Sequence, residues 1–236
     1  MASTISTKRP SRRAGAASEL SREAVVEHAL ELADREGLDA VGIRRIAADF
    51  QVTPMAMYWH VRNKDELLQA MGDALFENLE VPPSDGDWLD QIRAAVTAVV
   101  DALRRHPGAV ELAFGRILTS PRGLQLTEQS LGALRGAGFT VREAADLARQ
   151  ALQTAVMLVS GRPGAELSTP EPERAAMTEA KHAALAALPV EEFPNLVACA
   201  NALTDCEDER AYYGAGVDLY VAGVKELFAR RRPERP

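Results

Sequence analysis

Between Val52 and Leu67 the chain packs a Thr-Pro pair, a run of aromatic residues and an Asn-Lys pair into sixteen residues. This stretch restricts the fold more than any other. Thr53 can cap a helix with its hydroxyl, and Pro54 suits the first helical position, where no backbone N–H is needed. From Pro54 to His60 there is room for only about two turns. A helix that short is not stable alone, so neighbours must hold it. Asn63 then caps a longer helix opened by Lys64, whose positive N-terminal end Asp65 and Glu66 complement.

The preceding residues supply the support. Ile43, Ile46, Ala47 and Phe50 fall on one helical face, with Arg44, Arg45 and Asp49 off it. Gly42 is an acceptable cap. The pattern predicts a helix over 43–50, a turn over 51–53 and a second helix over 54–60. That is a helix-turn-helix, in which the second helix enters the DNA major groove and the first crosses the backbone. Upstream, Ser21 caps a helix running to about Glu36, with an apolar stripe of Val25, Val26, Ala29, Leu30 and Ala33, and Gly37 ends it. These helices predict a three-helix mini-core.

Met57-Tyr58-Trp59-His60-Val61-Arg62-Asn63-Lys64, with Ile43-Arg44-Arg45-Ile46-Ala47 upstream, resembles the TetR family of bacterial transcriptional repressors. The resemblance implies an arginine, here Arg44, that reaches a guanine; a guanidinium can fork onto O6 and N7. It implies a phosphate-binding lysine at a helix N-terminus, here Lys64. Tyr58 and His60 can donate to phosphates, and Trp59 can buttress them, against the plainer reading of Tyr58 and Trp59 as core aromatics. Pro54, Met55 and Ala56 face outward and offer only apolar contact to thymine methyl groups. With the capping Thr53 these complete the candidate DNA-contacting set. Gln51 stands where this turn commonly has glycine, which predicts an altered turn. Ile43 stands where the family commonly has Thr, which predicts a lost phosphate contact.

A net charge of −7 looks wrong for a nucleic-acid binder. The first 70 residues, however, hold ten Lys/Arg and ten Asp/Glu, so the acidic excess lies downstream. A basic surface can coexist with an acidic body because fields are screened within about 8–10 Å. No apolar run approaches the roughly 20 residues of a membrane span. The basic, Ser/Ala-rich N-terminus has no apolar stretch behind it and does not read as a signal peptide. Cys199 and Cys206 then read as reduced thiols of a cytoplasmic protein. His28, His106 and His182 are scattered, and no zinc site or cofactor is expected.

The chain divides into a basic arm over 1–18 with Lys8, Arg9, Arg12 and Arg13, a DNA-binding head over 19–66, and a regulatory body over 67–236. A helix over 64–80 connects head and body and ends before Val81-Pro82-Pro83-Ser84-Asp85-Gly86. Arginines on the arm suit a narrow minor groove. In the body, helices are predicted over 88–106, 109–114, 122–135, 141–160, 173–188 and 207–229, with loops over 161–172 and 189–205. No stretch alternates with period two, so the fold class is all-α.

The body resembles a tetracycline-repressor type of C-terminal domain through Asp87-Trp88, Arg104-Arg105-His106-Pro107-Gly108 and Arg135-Gly136-Ala137-Gly138-Phe139. The resemblance implies a homodimer through the helices near 141–160 and 207–229, and a pocket for a small-molecule effector between Trp88 and Ser160. Tetracycline-binding members hold a magnesium–drug complex with a His and a Glu; the matching positions here are Ala113 and Gly161, which cannot serve a metal. A mainly apolar pocket is expected instead, with Val99, Leu103, Leu112, Phe114, Ile117, Leu134, Val156 and Met157 as candidates.

Together these features predict a ligand-responsive repressor that binds a palindromic operator in double-stranded DNA. An enzyme is the first alternative, but the chain has no His-Glu-x-x-His, no phosphate-binding loop with Lys and no Gly-x-Ser-x-Gly elbow. A helical adaptor is the second. It gives no reason for Arg44, Tyr58, His60 and Lys64 to occur at DNA-docking spacing.

Overall fold

The computed structural model describes residues 20–83, 85–165, 169 and 171–230. Among these the chain is helical, with no strand. The head contains α1 (Arg22–Glu36), α2 (Ile43–Asp49) and α3 (Pro54–Met57), and α4 (Lys64–Glu77) leads out of it. The expected caps are in place: Ser21, Thr53 and Asn63 each accept a backbone N–H three residues on. The predicted apolar stripe of α1 is buried against Ile46, Ala47, Met57, Val61 and Leu67. Each of the larger side chains among them (Val, Leu, Ile, Met) contributes about 1.5–3 kcal/mol when fully withdrawn from water.

Helix α3 stops at Met57 rather than running to His60. Tyr58 to His60 form a turn held by the His60 and Val61 N–H groups, both donating to the Met57 carbonyl at 2.9 and 3.0 Å. Met57 alone of the aromatic-rich run is buried in the core.

The turn between α2 and α3 keeps the geometry that favours glycine. Gln51 has φ 57°, the single positive φ at a non-glycine position among the described residues. The cause is the way α2 ends: Gln51 N–H donates to Ala48 O and Val52 N–H to Ala47 O, a pairing that requires a left-handed residue. Gln51→Gly is therefore expected to stabilise the protein by about 1 kcal/mol, and Gln51→Ala not at all. Denaturant midpoints of the two variants check this.

In the body, α5 (Trp88–Leu103), α7 (Pro121–Gly136), α8 (Val141–Ser160) and α12 (Glu209–Ala229) pack as a bundle. Trp88 stacks against Phe139 and Phe228 at one end, with ring centroids 5.8 and 5.1 Å apart. Between α5 and α7 run a 3-10 segment, Pro107–Leu112, and the single turn α6, Ala113–Arg116. Helix α9 (Glu171–Ala186) packs against two short helices, α10 (Pro194–Ala198) and α11 (Ala200–Thr204). These replace the loop predicted over 189–205; Pro194 starts the first at a position where its missing N–H costs nothing.

Head and body meet along α1 and α4. At the end of α1 the Asp34 carboxylate bonds His106 Nδ1 at 2.9 Å and accepts the Gly108 N–H at 2.8 Å. The Asp34 carbonyl accepts from the Arg174 guanidinium. Gly108 lies so close to α1 that a Cβ there would sit 2.2 Å from the Ala33 carbonyl oxygen. On α4, Asp73 forms a two-pronged pair with Arg116 of α6, both bonds at 2.7 Å.

The hydrogen bond that His106 donates to the Asp34 carboxylate holds the imidazole above its ordinary range, helped by the fields of Asp34, Glu27 and Glu31 and opposed by burial. A raised histidine adds stability that is complete below the unfolded value of about 6.5 and is lost as pH rises through the folded value. As pH rises from about 6.5 through the folded value, stability is thus expected to fall by more in the native chain than in His106→Asn. Denaturant titrations across that range check it.

Candidate nucleic-acid interface and effector cavity

The head sorts its cations into two sets. Arg45 bonds both oxygens of Glu36 at 2.7 and 2.6 Å and both oxygens of Asp49 at 3.2 Å. Arg22 bonds Glu66 at 2.8 Å and the His60 carbonyl at 2.7 Å. The acids are held charged in return. Glu36 is lowered by its bond from Arg45, Asp49 by its bond from His28 and then by Arg45, and Glu66 by the Arg62 backbone N–H and then by Arg22. Arg44 and Lys64 belong to the other set: both are exposed and make no ion pair or side-chain hydrogen bond among the described residues. Exposed Arg62, missing from the sequence-derived set, joins them; the signal was its place in the basic turn before Lys64.

Around these cations the display segment stands in solvent. Trp59 is 87% exposed and Met55 70% exposed, and Thr53, Pro54 and Tyr58 are exposed beside them. Ala56 and His60 are half-buried. Exposure of Tyr58 and Trp59 disfavours the plainer alternative of core aromatics, since Met57 and Val61 are the buried residues of this run. Water-exposed Trp, Tyr and Met side by side form the kind of apolar patch that soluble proteins reserve for contacts. Ile43 packs against the core. The arm residues Lys8, Arg9, Arg12 and Arg13 lie outside the described residues.

A half-open cavity of about 50 Å³ lies between α5, α7, α8 and α12. Of the eight pocket candidates, Val99, Ile117 and Leu134 line it, joined by Ile92, Val96 and Leu152. Its polar lining is Thr127, Ser130 and Tyr220, and no charged side chain lines it. Leu103 and Val156 are buried elsewhere in the core, and Leu112 packs toward Gly72 of α4. Phe114 and Met157 point outward, 51% and 66% exposed. Successive helical residues lie about 100° apart, so burying Ala113 and Val156 turns Phe114 and Met157 to solvent. Ala113 is buried and Gly161 exposed, and no metal-holding cluster of His, Cys, Asp or Glu occurs among the described residues.

Residues 25–71 match the family model of bacterial regulatory proteins, tetR family. Residues 82–228 match that of the tetracyclin repressor-like C-terminal domain. The chain belongs to the TetR family. Its head holds the family's helix-turn-helix, and its body matches the tetracyclin repressor-like C-terminal domain. An HTH-type transcriptional regulator of Saccharopolyspora erythraea is 36% identical over 121 residues, 51% of this chain and 51% of that protein. The HTH-type transcriptional repressor DrrR1 of Streptomyces coeruleorubidus is 31% identical over 156 residues, 65% of this chain and 54% of the repressor. These matches span about half the length of the curated relatives. Streptomyces coelicolor ActR, in a crystal structure with actinorhodin, superposes with a TM-score of 0.61 at 28% identity, over 90% of this TetR-family chain and 100% of ActR. No helix among the described residues is long and apolar enough to cross a membrane.

Proposed function

We propose that this TetR-family chain is a cytoplasmic repressor that binds a palindromic operator as a homodimer and leaves it when a small, mainly apolar effector enters the body. The observation that carries the reading is the division of cations in the head. Arg45 and Arg22 are consumed by the fold, whereas the exposed side chains of Arg44, Arg62 and Lys64 form no ion pair among the described residues, on the same head that exposes Tyr58 and Trp59. A surface that keeps positive charge without acidic partners fits a polyanion. We place the head at 19–66 and the body at 67–236, joined by α4, which ends at Glu77 and not at the expected residue 80 because Asn78 closes it, and we propose that the arm with Lys8, Arg9, Arg12 and Arg13 enters the adjacent minor groove.

The dimer reading draws on α8 and α12, whose outer faces carry Met157 and the 76% exposed Leu219. The effector reading draws on the mainly apolar cavity and on the solved ActR–actinorhodin complex. The cavity is far smaller than the 300–1,000 Å³ usual for a ligand site. An effector must part the bundle to enter, so it binds a different state from the closed one and shifts the balance between them. The Arg116–Asp73 pair, one residue from Ile117 of the cavity wall, ties that movement to α4.

The test is a mobility shift with the promoter region beside the chain's own gene at two salt concentrations. The expected result is a dimer-sized complex that outlasts competitor DNA and weakens steeply with salt. Equal affinity for unrelated duplexes would remove the operator, and a monomer in sedimentation at micromolar concentration would remove the palindrome.

A further inference from the structure

We propose that the body cavity selects uncharged molecules that donate hydrogen bonds, and excludes carboxylates. The proposal rests on the reading of this cavity as the effector site and adds the chemistry of what fits it.

The argument starts from three hydrogens. Thr127, Ser130 and Tyr220 supply the cavity's polar lining, and a hydroxyl has one hydrogen each. Thr127 Oγ1 donates its hydrogen to the Gly123 carbonyl at 2.8 Å, and Ser130 Oγ to the Leu126 carbonyl at 2.8 Å. Both bonds run back four residues along α7. Tyr220 Oη donates across the bundle from α12 to the Leu147 carbonyl of α8 at 2.7 Å. Every donor is committed to backbone. The oxygens retain lone pairs, so the polar lining accepts and does not give.

The charge balance points the same way. Burial pushes the Tyr220 phenol upward, so it stays neutral across physiological pH. A small adjoining void shares Ala95, Leu126 and Ser130 with the cavity and leads to Pro82 and Pro83 past Gln91 and Gln129. No charged side chain lines either space. A carboxylate entering the cavity would lose its hydration and meet the lone pairs of Thr127, Ser130 and Tyr220 with no cation to offset them; the amide donors of Gln91 and Gln129 lie only in the adjoining void. A phenol or amide N–H would instead find the Thr127 and Ser130 oxygens, whose own hydrogens are held inside α7 and stay committed however the bundle parts. An ether of the same shape would bury those acceptors without partners.

Three probes of one shape separate the possibilities: 2-naphthol, 2-methoxynaphthalene and 2-naphthoate, titrated calorimetrically into the full chain. The expected result is that naphthol binds about tenfold or more tighter than the ether, with naphthoate weakest. Tyr220→Phe and Thr127→Val each remove an acceptor with little change of shape, and either is expected to narrow the naphthol-to-ether ratio to within about threefold. Equal binding of naphthol and ether, tighter binding of naphthoate, or no binding of any probe at about millimolar concentration would overturn the proposal. Ala151→Phe, confirmed as folded by circular dichroism, fills the cavity and tests the location separately. Naphthol binding that survives this substitution would remove the site itself. Binding lost there but blind to the hydroxyl would keep the site and remove the selectivity.

Discussion

Gly108→Ala is expected to destabilise the protein by about 3 kcal/mol, near the upper end of overpacking costs. The added methyl carbon would lie 2.2 Å from the Ala33 oxygen, 2.4 Å from the Ala33 carbonyl carbon and 2.7 Å from the Asp34 nitrogen. All three are backbone atoms inside α1, so no side chain can swing away to make room. The 3-10 segment must retreat from the head, and the Gly108 N–H bond to Asp34 goes with it. Thermal unfolding measures the loss. Operator affinity, compared at a temperature where the variant stays folded, reports whether a displaced head still docks. A melting temperature unchanged from the native chain would show that this approach is looser than described.

Arg44→Ala is expected to weaken operator binding by about 1–3 kcal/mol, and to relax the preference at one base pair per half-site. Lys64→Ala, by contrast, is expected to weaken all sequences alike and to flatten the salt dependence by about one unit. Arg45→Ala sharpens the comparison. It removes a neighbour of identical chemistry, but one held by Glu36 and Asp49. Its cost is expected in stability, with base preference retained. Binding titrations against a set of single-base operator variants distinguish the three, and matching sequence profiles for Arg44→Ala and Lys64→Ala would refute the assigned roles.

Much of the head was legible because its signals are local. Ser21, Thr53 and Asn63 each cap a helix three residues away, and the stripe of α1 repeats within one element. The run from Met57 to His60 was harder. Four bulky residues in succession have no periodicity, and only the end of α3 decides that Met57 goes inward and Trp59 outward. Gln51 misled for a related reason: its side chain argues against a left-handed turn, but the hydrogen bonding at the end of α2 prevails. In the body, long helices were read from their spacing, whereas Phe114 and Met157 were assigned inward by proximity in sequence alone. The Asp34–His106 and Asp73–Arg116 bonds join residues 72 and 43 apart. Nothing local marks such pairs, and the sequence reading left His106 without a role.

The grip of Asp34 also sets how movement is scaled. Asp34 lies at one end of α1, fastened to His106 and Gly108. Arg22 lies at the other, fastened to the His60 carbonyl just beyond α3. Twelve residues separate them, about 18 Å at helical rise. With Asp34 as the pivot, a rotation of about 10° carries the display segment about 3 Å, because α1 moves as a rod. In the proposed dimer the two heads would turn in opposite senses and change their separation by about 6 Å, against the roughly 34–36 Å of one DNA turn. For a given rotation the distance travelled is then set by the length of α1, so a lengthened α1 would move the heads further for the same opening of the bundle.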